Sequence, residues 1–134
     1  MNKQQAYNTF WGGFGVLAFE ENSVPDDEII AELIKAGVAA AKYPYITYQV
    51  IIDDLGNAVY PSANIYDKSG SWERSDTLAN TISNRIQAMG TIKLDNGRMF
   101  ITKGSPFAQH MGEGEDFTIK RITLNLGVEF LTES

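Results

Sequence analysis

Between Phe117 and Leu131 apolar and polar side chains alternate. Ile122, Leu124, Leu126, Val128 and Phe130 fall on one side, and Arg121, Thr123, Asn125, Gly127 and Glu129 on the other. Alternation with period two over this length predicts a β-strand with one face in the core and one face wet. Nearer the start the period lengthens to three and four. Ala6, Tyr7, Phe10, Trp11 and Phe14 make one apolar stripe, which predicts a helix over residues 3–11 that Gly12, Gly13 and Gly15 bring to an end. Residues 16–25 read as an extended connector closing at Val24-Pro25. Asp26, Asp27 and Glu28 suit the first turn of a second helix. Ile29, Ile30, Leu33, Ile34, Val38 and Ala41 carry its spacing on to about Ala41, with Gly37 as a weak point and Pro44 as the stop.

Tyr45–Ile52 is rich in β-branched and aromatic residues and reads as a strand. A turn over Asp53–Asn57 and a return strand, Ala58–Tyr66, make a hairpin. Pro61 would cost a central strand one ladder bond, so it places the return strand at an edge or a bulge. Trp72, Ser75, Leu78, Ala79, Ile82, Ile86 and Met89 trace a third helix, with Ser71 as its N-cap and Gly90 just past its end. Thr91–Leu94 and Met99–Thr102 flank Asn96-Gly97, the favoured pair for a type I′ turn, and predict a second hairpin. Lys103–Asp116, with its glycines, Pro106 and acidic cluster, reads as a long loop. The expected fold is α+β, one domain over residues 1–134. Its mostly antiparallel sheet has about four to five strands, two hairpins plus the C-terminal strand. Two to three helices pack on one face and leave the other open.

Composition adds exclusions. The chain of 134 residues is 43% hydrophobic with seven Phe, six Tyr and two Trp, enough for one core. Eleven Lys and Arg against seventeen Asp and Glu give a net charge of −6. An acidic balance argues against phosphate-backbone binding and against anionic membranes, so neither sequence-specific nucleic acid nor membrane is an expected partner. No apolar run approaches the ~18 residues of a membrane span, and Met1–Gln5 has no signal-peptide h-region. The chain has no cysteine, which removes disulfides, thiolate ligands and Cys nucleophiles and suits a cytoplasmic setting.

Candidate chemistry is sparse. The only histidine, His110, cannot make a zinc site alone and reads as a surface or interface residue. Gly104-Ser105-Pro106 is not the Gly-x-Ser-x-Gly elbow of hydrolases. Asp26-Asp27-Glu28 is a helix start and Asp53-Asp54 a turn, and neither has calcium-loop spacing. Glu113, Glu115 and Asp116 read as a solvated acidic loop. Gly12-Gly13-Phe14-Gly15 follows a helix, whereas a phosphate loop follows a strand. The aromatics Phe10, Trp11, Phe14, Tyr43, Tyr45 and Tyr48 lack the basic groove of a stacking platform. The expectation is a protein without catalytic residues, cofactor or metal.

A series of short strings carries a resemblance. Ala6-Tyr7-Asn8-Thr9-Phe10-Trp11 leads to Glu21-Asn22-Ser23-Val24-Pro25-Asp26-Asp27. Pro44-Tyr45-Ile46-Thr47-Tyr48, Ser71-Trp72, Gly104-Ser105-Pro106-Phe107-Ala108-Gln109 and Arg121-Ile122-Thr123-Leu124-Asn125-Leu126 follow in order. In this order the chain resembles the short tail proteins of tailed phages and prophages of Gram-positive bacteria, most of all the tail-terminator, or head–tail joining, type. The stretch from about Glu28 to Lys42 departs from that pattern. The resemblance implies a structural virion protein. It would form a ring, expected to be a hexamer, that caps the tail tube and docks to the head connector. Implied partners are further copies of the chain, the tail-tube protein and a head-completion protein. The implied location is the host cytoplasm during assembly, then the virion tail. Alternatives are another head–tail or minor tail assembly protein of the same gene cluster, or a small ligand- or peptide-binding module. Loops as long as Lys103–Asp116 are usually functional or disordered. The candidate interface is therefore Pro106, Phe107, Gln109, His110 and Met111 with the wet face Arg121, Thr123, Asn125 and Glu129. Deleting residues 106–114 is expected to leave a folded monomer that cannot form the ring.

Overall fold

The structure, a computed structural model, describes residues 1–53, 56–112 and 118–132. In chain order these form α1 (Lys3–Trp11), β1 (Leu17–Glu20), α2 (Asp27–Lys35), β2 (Tyr45–Tyr48), β3 (Ala58–Val59), β4 (Ser62–Lys68), α3 (Glu73–Met89), β5 (Thr91–Lys93), β6 (Gly97–Met111) and β7 (Ile119–Thr132). The fold is α+β. The strand order is β1-β2-β4-β7-β6-β5, with β3 also paired to β7. Among the described residues only β1–β2 is parallel; every other pair is antiparallel.

The alternation in β7 survives intact. Ile122, Leu124, Leu126, Val128 and Phe130 are all buried, because β7 is central and both neighbours hold its register. Ile46 of β2 and Ile65 of β4 extend this face, and Tyr7, Phe10 and Trp11 of α1 with Leu78, Ile82 and Ile86 of α3 cover it. The opposite face is not left wholly open. α2 lies over its β1–β2 end, where Ile30, Leu33 and Ile34 meet Leu17, Phe19 and Tyr45 in a second, smaller core.

Several boundaries move, each for a local reason. The connector 16–25 contains β1, added to the sheet by parallel pairing with β2. α2 stops at Lys35, six residues short of Ala41. Gly37 has φ +83°, and the N–H groups of Gly37 and Val38 return to the carbonyls of Ile34 and Leu33 at 3.0 and 3.1 Å, so the glycine terminates the helix. β2 ends at Tyr48. Pro61 falls in the break between β3 and β4, where its missing N–H is not needed. The second hairpin turns one residue early. Lys93 faces Arg98 and the Leu94 N–H donates to the Gly97 carbonyl at 2.7 Å, so Asp95-Asn96 is the turn and Gly97 is already strand. Burial of Met99 and Ile101 fixes this register. The largest departure concerns Lys103–Asp116. Its first nine residues, through Met111, are strand β6, and Glu113–Asp116 lie outside the described residues.

α1 ties the two terminal strands of the sheet order. Asn2 and Gln5 make a capping box at its start. Gln4 Nε2 donates to Glu20 Oε2 of β1 at 3.2 Å, and the Met1 ammonium pairs with Asp95 at the β5–β6 turn.

Candidate interaction surface

The strand that replaces the expected loop is interrupted. Lys103 pairs with Leu126 and Ala108 with Leu124, so Gly104, Ser105, Pro106 and Phe107 together oppose one residue, Asn125. The Ser105–Pro106 peptide is cis. Asn125 Nδ2 donates to the Pro106 carbonyl at 3.0 Å. A Cβ on Gly104 would stand 2.9 Å from the Asn125 carbonyl oxygen and Cβ, so only glycine lets the bulge close on β7.

The bulge reverses which β6 side chains face the helices. Before it, Met99, Ile101 and Lys103 share the side of Phe130, Val128 and Leu126; after it, Ala108 and His110 share the side of Leu124 and Ile122. It also shortens β6. Lys103 to His110 advances only as far as Leu126 to Ile122, about 14 Å of strand. That is close to the ~10.5 Å that seven residues span on a helix. α3 therefore meets β6 at positions seven apart. Asp76 Oδ1 holds His110 Nε2 at 2.7 Å and Ser83 Oγ accepts from Lys103 Nζ at 3.1 Å; just past α3, the Gly90 carbonyl accepts from the Ile101 N–H at 2.6 Å beside the β5–β6 ladder.

His110 also lies flat on Trp72, with ring centroids 3.7 Å apart and planes 3° from parallel. Lys120 Nζ sits 5.6 Å from the same indole. Trp72 is placed by the start of α3. Asp67 of β4 is fully buried and accepts from Arg74 Nε at 2.9 Å and also from Arg74 Nη2. Those hydrogen bonds push the Arg74 guanidinium above its ordinary pKa. The arrangement is a tether that fixes the far end of β6. No local pattern announces it, since Trp72 and Asp76 precede the bulge by a whole helix.

The nine residues expected at an interface divide into four groups. Gln109, Met111, Arg121 and Thr123 come together, since Gln109 faces Thr123 and Met111 faces Arg121 in register. Thr123 Oγ1 donates to Asn64 Oδ1 at 2.7 Å, and the Tyr45 and Tyr66 rings stack beside this patch, 5.1 Å apart. Pro106 and Asn125 are joined at the bulge. Phe107 packs toward the main core and His110 toward α3, so neither belongs to the outer patch. Glu129 lies further along β7, opposite Ala58 and Phe100. Arg121, Thr123, Asn125 and Glu129 are half-buried rather than wet, because strands flank β7 on both sides. An exposed group that the pattern did not single out is Tyr60, 75% exposed beside Gly127.

Among the described residues no three His, Cys, Asp or Glu side chains gather as a metal site. No helix among them is long and apolar enough to cross a membrane. No protein-family model matches the chain, and no curated protein matches it.

Proposed function

We propose that this chain is a structural protein of a phage tail, of the tail-terminator type. Copies join in a ring, expected to be hexameric, that caps the tail tube and meets the head connector. Its partners on this reading are its own copies, the tail-tube protein and the head-completion protein. It passes from the host cytoplasm into the virion tail, and it uses no cofactor.

The observation that carries the reading is the long edge of β6. β5 pairs only with Arg98, Met99 and Phe100. From Thr102 to Met111, β6 has β7 on one side and no second strand among the described residues. A sheet edge of that length is a template for another chain. The Pro106 bulge divides it, which limits pairing to a defined length and opposes open-ended stacking. The strings that carry the family resemblance support the same reading. Tyr45–Tyr48 is β2, Gly104–Gln109 contains the bulge, and Arg121–Leu126 is the centre of β7.

Electron microscopy of tails from a phage lacking the gene tests the proposal. Overlong tails are expected, because nothing stops tube growth. Free tails of normal length would assign the chain to head completion instead. Intact particles would remove both readings.

A further inference from the structure

Charge along this chain is sorted by strand order. From Glu20 to Glu32 there are six carboxylates and no Lys or Arg. This stretch supplies the end of β1, at one edge of the sheet, and most of α2 beside it; Lys35 at the end of α2 and Lys42, paired with Asp27, leave this side net acidic. From Arg85 to Lys103 there are four cations and one carboxylate, Asp95, and the N-terminal ammonium holds Asp95. That stretch supplies the end of α3, β5 and the first half of β6, at the other edge.

Each patch mixes charge with bare apolar surface. Glu28 and Glu32 are exposed one turn apart on α2, a like-charge spacing that disfavours the helix in isolation. Ile29 stands 51% exposed among the acids, Val38 53% exposed just beyond α2, and Met89 60% exposed near the cations. Exposed apolar groups rimmed by charge mark contact surfaces.

We infer that the two patches bind each other between copies, the acidic β1–α2 side of one subunit on the basic β5–β6 edge of the next. The inference rests on the ring reading above and names its contact. Two different patches in contact form a heterologous interface, which propagates until its rotation closes a ring. A two-fold dimer through either patch would set like charges together and is suppressed.

Two charge-reversed variants test this. E28K/E32K takes the acidic stretch from −6 to −2, and R85E/K93E takes the four cations of the basic stretch to a balance of zero. Sedimentation velocity at high protein concentration and low salt is the readout. The wild-type chain is expected to associate beyond a dimer and to dissociate between about 0.1 M and about 1 M salt, as the Debye length falls from ~10 Å to ~3 Å. Each variant alone is expected to sediment as a monomer, and an equimolar mixture to pair again, the intact acidic patch of R85E/K93E on the intact basic edge of E28K/E32K. The mixture guards against misfolding, because an unfolded variant cannot complement its partner. A wild-type monomer under all conditions, a variant that associates like the wild type, or folded variants that fail to complement would overturn the inference. Failure here is separable from failure of the tail reading. A null phage with overlong tails that E28K/E32K fully rescues removes only this contact. Complementing variants alongside normal tails in the null phage remove only the tail assignment.

Discussion

Tyr7 shows how much a single position depends on the whole. On the sequence it is one member of an apolar stripe. In the fold it is 2% exposed and its hydroxyl donates to the Ile51 carbonyl at 2.6 Å. Burial penalises the phenolate and pushes its pKa up to about 12, against about 10 in an unfolded chain. Between those values the folded state holds a proton that the unfolded state has lost. Stability is therefore full below about pH 10 and falls as pH rises toward about 12. Tyr7→Phe should make that decline shallower in denaturant titrations, while Tyr48, also pushed up by burial and then by Glu20, retains part of it. At neutral pH the same change should cost about 1 kcal/mol, because the Ile51 carbonyl loses its donor. An unchanged alkaline slope would refute this. Glycines divide just as sharply. Gly104→Ala meets the Asn125 backbone, whereas Gly112→Ala meets nothing within 4 Å. Urea unfolding should show a loss of about 1–3 kcal/mol for the first, and under about 0.5 for the second.

At the scale of elements, β6 and α3 behave as one unit. The deletion of residues 106–114 expected to spare the fold would remove the pairing of Ala108–Met111 with β7 and the His110–Asp76 contact, so it should destabilise the domain itself. Point changes are the better probes. The Asp67–Arg74 pair is lopsided, with side-chain exposures of 0% and 52%. Arg74→Ala strands a buried carboxylate and should cost about 3–5 kcal/mol. Asp67→Asn leaves a cation that can turn to water, and should cost less. Equal losses in thermal unfolding would contradict the assigned asymmetry. For the tether, a double-mutant cycle on His110 and Trp72 should return a coupling of about 0.5–1.5 kcal/mol, the range for stacked rings, and a coupling near zero would reduce the stack to proximity.

For the whole molecule the two cores predict two grades of stability. The main core holds α1, α3 and the central strands. The smaller one holds α2 and the outward side of β1 with few buried residues. Local opening follows the density of buried apolar contact. Hydrogen exchange should therefore be faster in α2 and β1 than in β7, which pairs along both edges. Ile30→Ala should widen the gap while leaving β7 protected. Equal protection throughout would mean that the second core is as firm as the first. The acidic patch proposed as a docking surface lies on this less stable part, so ring formation should slow exchange there most.

Periodicity alone determined the three helices and the β7 alternation, because those patterns are local and burial enforces them directly. It also determined the α+β class, since hairpins and amphipathic helices leave few alternatives. Tertiary structure decided what depends on partners distant in sequence. β1 is a strand only because β2 lies beside it. Lys103–Met111 is a strand only because β7 accepts it, with a glycine bulge that no propensity announces. His110 owes its place to Trp72 and Asp76, and the wet face is half-covered because β7 became central. The charge of each segment could be read in the chain, but only the strand order put the acidic stretch at one edge of the sheet and the basic stretch at the other.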